Sequence, residues 1–136
     1  SSAVRDLGQR YLDLQKSYRQ LSTEIMLKDA KQIPMYDAIL YTALLADYEA
    51  MRVFCNHCIK KGISTVMVIA KNEVGYAYVI MSKTIDLQSI RAEFNMQIHA
   101  KGGGNREMMQ GSCTATPTEI SHAFGTLTGV TMHIVS

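Results

Sequence analysis

The chain has 136 residues, 47% of them hydrophobic and 19% charged, with a formal net charge of +2. That length suits one domain with its own core, and that balance excludes a disordered chain. No apolar run approaches the roughly 20 residues that a bilayer-crossing helix needs, so no membrane contact is expected.

The three cysteines are an odd number, and no charged-then-apolar signal segment opens the chain. Both point to a reducing, cytoplasmic home. The chain starts Ser1-Ser2-Ala3 rather than with methionine and is expected to be a fragment of a longer protein. Its charge is uneven. Residues 1–34 hold six basic and four acidic side chains, whereas the remainder holds eight of each. The whole excess sits on the first segment.

That segment repeats every seven residues. Val4, Leu7, Tyr11, Leu14, Tyr18, Leu21 and Ile25 alternate steps of three and four, the a/d seam of a coiled coil. A helix on a globular core buries a broader stripe, so this one is expected to lie against one partner helix. Two tyrosines on the seam leave the number of strands open. Pro34 blocks continuation of the helix. Residues 1–34 thus read as a helical arm, and residues 35–136 as a globular domain.

From residue 37 the pattern becomes alternating strands and helices. Residues 37–44 suit a strand. Asp47 can cap a helix whose Met51, Phe54, Cys55, Cys58 and Ile59 share one face, with Gly62 at its end. Ile63 to Ala70 is a continuous apolar run, the mark of a strand covered on both faces, and Tyr76 to Met81 follows as another. Asp86 can cap a helix with Leu87, Ile90, Phe94 and Ile98 facing inward. Gly102, Gly103 and Gly104 read as a loop, followed by a short strand near 111–115. Thr116-Pro117-Thr118-Glu119 is a capping box with proline at the first helical position. Ile120, Ala123, Phe124 and Leu127 would face the core, and Val130 to Val135 is a last strand. The fold class expected is α/β, a mixed sheet of about five strands flanked by helices behind the helical arm.

Lys101 to Arg106 is the stretch most suggestive of function. Three glycines between two cations can present bare N–H groups to a phosphate. They can equally be a helix end and a tight connection. The loop lacks the Lys-Ser/Thr pair of a P-loop and the strand-to-helix context of a dinucleotide fingerprint. Cys55-Asn56-His57-Cys58 has zinc-like spacing, but no second ligand pair completes four positions, and both cysteines fall on an apolar face. None of His57, His99, His122 and His133 sits near a Ser or Cys in a recognisable nucleophile context, so no catalytic residue and no metal ligand is assigned. His133, in an apolar strand, reads as a core or edge residue. The arm's cations, among them Arg10 and Lys16, suit an RNA backbone or a solvated helix face alike.

Gly102-Gly103-Gly104-Asn105-Arg106-Glu107-Met108-Met109-Gln110-Gly111 resembles the motif GGGRPDMAQAGG of the C-terminal, DHH-associated domain of alanyl-tRNA synthetases and their tRNA-editing relatives. The same module accompanies DHH-type phosphoesterases. Asn105 stands where the synthetase motif has Arg, Arg106 where it has Pro, and Ser112-Cys113 where it closes with Gly-Gly. The phosphoesterases place a substrate-contacting His after the glycines; here that position is Asn105, and the DHH triplet is absent. This favours the synthetase and editing branch.

The resemblance implies a non-catalytic C-terminal module that binds the outer corner of tRNA, tRNA-Ala first among candidates, and forms a homodimer through its arm. Lys101, Gly102, Gly103, Gly104, Asn105, Arg106 and Gln110 would meet nucleic acid. Leu7, Tyr11, Leu14, Tyr18, Leu21 and Ile25 would form the dimer seam. No cofactor is expected in this chain; zinc would belong to an editing part outside it. The parent would be a synthetase-like ligase or an editing hydrolase. The alternatives are a purely structural dimerisation domain and the accessory substrate-binding domain of a DHH-type phosphoesterase.

Overall fold

The computed structural model describes the backbone of residues 2–135 and the side chains of residues 8–135. The chain opens with a 31-residue helix, α1 (Ser2–Gln32), roughly 46 Å long at 1.5 Å per residue. Pro34 follows it. Then come β1 (Ala38–Ala43), α2 (Tyr48–Lys61), β2 (Thr65–Lys71), β3 (Tyr76–Ser82), α3 (Leu87–Gln97), β4 (Lys101–Gly104), β5 (Met108–Cys113), α4 (Pro117–Thr128) and β6 (His133–Val135).

The helix boundaries follow from local chemistry. Asp47 accepts from the Ala50 amide at 2.8 Å to open α2, and Gly62, at φ +121°, closes it. Asp86 accepts from the Gln88 amide at the start of α3. Thr116 and Glu119 complete a reciprocal capping box at α4, and Gly129 ends that helix in the left-handed region.

The six strands form one mixed sheet in the order β4-β5-β3-β2-β1-β6. β1 and β2 run parallel, so the chain must cross over between them, and α2 is that crossover. β2–β3 and β4–β5 are antiparallel hairpins, β5 lies antiparallel to β3, and β6 returns parallel to β1 at the far edge.

One face of the sheet packs under α2 and the end of α1, where Met51, Phe54, Cys55 and Cys58 meet Val66, Val68 and Val79. The other packs under α3 and α4, where Leu87, Phe94, Ile120 and Phe124 meet Met67, Ile69, Tyr78 and Ile80. β2 is buried along nearly its whole length, as a strand with a core on both sides must be. Among the described residues no helix is long and apolar enough to cross a membrane.

One expectation fails. The glycines are not a loop but most of a sixth strand, β4, at the sheet edge. The connection before them is made by His99, which takes φ +54°. The reason for the strand lies in what the glycines touch.

Candidate nucleic-acid interface

The glycine hairpin is built around Tyr78 on β3. Register places Tyr78 opposite Gly111 on β5, and Gly111 opposite Gly102 on β4. A Cβ on Gly111 would stand 2.8 Å from the Tyr78 hydroxyl, and one on Gly102 2.9 Å from it. Gly102 also has the Gln110 carbonyl where its Cβ would be. The two glycines therefore leave the channel through which the Tyr78 side chain crosses β5 and β4. Its hydroxyl donates to Asn95 Oδ1 on α3 at 2.5 Å, and its ring meets Phe94 edge-on at 5.4 Å. Burial pushes the Tyr78 phenol well above its ordinary value, with Cys113 and Tyr48 adding to the rise and Arg91 opposing it. It stays a neutral donor.

Gly104, at φ +151°, begins the turn, with the Met108 carbonyl where a Cβ would lie. The Asn105 amide donates to Met108 O at 2.7 Å, and Asn105 Oδ1 accepts from the Glu107 and Met108 amides at 2.8 and 3.0 Å. The tip is tied to the body as well: the Leu87 amide donates to Arg106 O and the Ser82 amide to Glu107 O. Arg106 is thus an exposed cation on a fixed backbone.

Gly103 differs from its neighbours, since nothing lies within 4 Å of where its Cβ would be. It stands opposite Gln110 on the α2 face of the hairpin. There Arg52 of α2 donates to Gln110 Oε1 at 2.7 Å. Lys101 lies two residues from Gly103 on the same face, exposed. β4 pairs with a strand on one side only, so its other row of peptide groups faces outward; Arg91 donates to one of them, Gly104 O, at 2.6 Å. The result is a strip of bare backbone with Lys101, Arg106 and Arg52 around it.

Sequence reasoning missed Arg52, Arg91 and Tyr78. Arg52 and Gln110 are 58 residues apart, and only strand register makes them neighbours. A Tyr in an apolar run before a glycine-rich stretch is the one local hint of Tyr78.

The arm cations are not brought to this strip. α1 meets α2 and the β1 side of the sheet, while β4 lies four strands beyond β1. Of the seam residues, Tyr11, Leu14, Tyr18, Leu21 and Ile25 are each more than half exposed. Val4 and Leu7 lie outside the residues whose side chains are described. Cys55 and Cys58 are buried, and burial raises both thiols, Cys58 to about 11. Among the described residues no three His, Cys, Asp or Glu side chains gather as a metal ion requires. His133 lies exposed on the edge strand β6 and stacks on Tyr36 at 4.2 Å.

No protein-family model matches the chain, and no curated protein matches it in sequence. Solved structures do match it in fold. The C-Ala domain of Aquifex aeolicus alanyl-tRNA synthetase superposes with a TM-score of 0.50 at 18% identity, over 70% of this chain and 92% of that one. RecJ from Thermus thermophilus, in its Mg2+ and Mn2+ complexes, superposes with a TM-score of 0.57 at 14% and 15% identity. That match takes in 88% of this chain and 20% and 19% of RecJ, so the chain spans about a fifth of RecJ. The fold implied by the glycine motif is the fold observed.

Proposed function

We propose that the chain is a non-catalytic, nucleic-acid-binding and oligomerising C-terminal module of an alanyl-tRNA synthetase-like or alanyl-tRNA editing protein. The observation that carries the reading is the β4–β5 hairpin: a glycine strand rigidly backed by Tyr78, open over Gly103, and flanked by Lys101, Arg106 and Arg52. Bare peptide groups among cations suit phosphate, and the C-Ala likeness supports tRNA as the polyanion. Lys101, Arg106 and the side-chain Nδ2 group of Asn105 would contact the RNA, Gly103 would allow close approach, and Gln110 would hold Arg52 in place. Recognition of this kind reads shape and phosphate more than base sequence. The arm would join two copies along Tyr11, Leu14, Tyr18, Leu21 and Ile25.

The test is binding to tRNA-Ala, to a second tRNA and to an acceptor minihelix lacking the tRNA corner, each at two salt concentrations. Salt-sensitive binding to both tRNAs and not to the minihelix supports the reading. Absence of binding to all three, with a dimer in solution, leaves a purely structural module.

A second reading has its own support. The RecJ likeness covers more of this chain than the C-Ala likeness does, taking in 88% against 70%. It favours the accessory substrate-binding domain of a DHH-type phosphoesterase, with the same hairpin holding a small phosphorylated ligand. Binding of a mononucleotide in preference to tRNA would select it.

A further inference from the structure

Two different faces of α1 are apolar. Met26, Ala30 and Ile33 are buried against the domain. Tyr11, Leu14, Tyr18, Leu21 and Ile25 form the other face, between 51% and 63% exposed. At about 100° per residue the two faces lie roughly a quarter-turn apart, so docking α1 on its own domain leaves the seam uncovered. Near Ile25 the seam enters a groove of about 590 Å³ between α1 and the end of β1, walled by Tyr41, Leu44 and Leu45. Leu44 is 99% exposed. The Ser22 hydroxyl donates to the Leu45 carbonyl and holds that wall to the helix. So long an apolar strip marks an interface.

We infer that a second copy's α1 covers this strip in the antiparallel direction, crossing near Ser17. This rests on the arm-mediated dimer proposed above and supplies its direction. The residues flanking the seam decide it. On one flank stand Arg10, Ser17 and Glu24, and on the other Gln15, Ser22 and Asp29. In a parallel pair the flanks meet five residues out of step, setting each Glu24 beside the second copy's Asp29, a like-charge contact made twice. The tyrosines would also stack on their own copies, and both domains would crowd one end.

Antiparallel pairing about Ser17 removes all three conflicts. Each Arg10 meets the second copy's Glu24, and Tyr11 and Tyr18 face Leu21 and Leu14. The two domains separate to opposite ends, and the N-terminal part of each arm runs towards the other copy's groove. Arg10 and Glu24 are exposed on α1, as this pairing requires.

The test is the dimer dissociation constant by sedimentation for the wild type, Arg10→Glu, Glu24→Arg and the double swap. Antiparallel pairing predicts that each single reversal weakens the dimer about tenfold, by turning two attractions into repulsions, and that the swap restores it. A wild-type dimer that Glu24→Arg tightens, or that the swap fails to restore, overturns the direction and leaves the dimer standing. A wild-type chain that stays monomeric across micromolar concentrations overturns the dimer and the direction together.

Discussion

The Tyr41 hydroxyl donates to Asp29 Oδ2 at 2.7 Å, joining the first sheet strand to the helical arm. Tyr41 itself is stacked on Phe54 of α2 at 4.4 Å, so the arm is tied through one ring to both a strand and a helix of the domain. Lys61, at the end of α2, makes the second tie. Its ammonium donates to the carbonyls of Ala30 and Lys31 at 3.2 and 3.3 Å, and also to that of Ile33. Those are the acceptors that a helix leaves unsatisfied at its C-terminus, and the cation also suits the negative end of the helix dipole.

Tyr41→Phe should lower stability by about 1–2 kcal/mol in denaturant unfolding, the usual cost of losing a hydrogen bond to a charged acceptor. It should also change the alkaline limb. Burial, then the bond to and the charge of Asp29, hold the folded phenol well above its ordinary 10.0. Above about pH 10 the unfolded chain therefore sheds a proton that the folded chain keeps, and stability falls as pH rises. Below that pH the group contributes no pH dependence. Tyr78, raised in the same direction, acts likewise, so removing either hydroxyl should flatten the fall in part.

Lys61→Met should cost roughly 1–2 kcal/mol by stranding the arm's last carbonyls. Amide hydrogen exchange should then quicken at the α1 end near residues 26–33 while the protection of β2 is retained. Equal quickening throughout would contradict a local capping role.

Gly102→Ala and Gly103→Ala should part company. At Gly102 the added methyl meets the Gln110 carbonyl, the Gly111 Cα and the Tyr78 hydroxyl, all held in place, and about 1–3 kcal/mol should be lost. At Gly103 the methyl meets nothing within 4 Å, so stability should move by no more than about 0.5 kcal/mol. Any loss of RNA affinity in Gly103→Ala then reports the approach of a ligand rather than damage to the fold.

The three buried thiols should be inert in the folded chain. Burial raises each of them, so none presents a thiolate near neutral pH. A disulfide-exchange reagent at pH 8 should find less than one reactive thiol per native chain and all three after unfolding.

Much of this fold is legible in the residues because local chemistry and tertiary structure agree there. Asp47 and Gly62 bound α2 through bonds made within a few residues, Thr116 and Glu119 close on each other, and the apolar run of β2 can only be a strand buried on both faces. The glycines mislead because their meaning is non-local. Read alone, three in succession signal a turn; in the fold, Gly102 is a strand residue whose missing Cβ makes room for Tyr78, far earlier in the chain. The Arg52–Gln110 contact is invisible for the same reason, since it depends on register across the sheet. The seam of α1 is readable from its period, and the structure adds that the domain docks on a different face of that helix.

The most direct test of the central claim is the salt dependence of tRNA binding, compared between the wild type and Lys101→Ala/Arg106→Ala. Both side chains are exposed, so the variant should fold as the wild type does. If the hairpin grips the RNA backbone, affinity should fall for every tRNA alike, and the slope of log affinity against log salt should shrink by about two, near one for each lost cation. Unchanged affinity and an unchanged slope would contradict the claim and move any RNA contact off this hairpin.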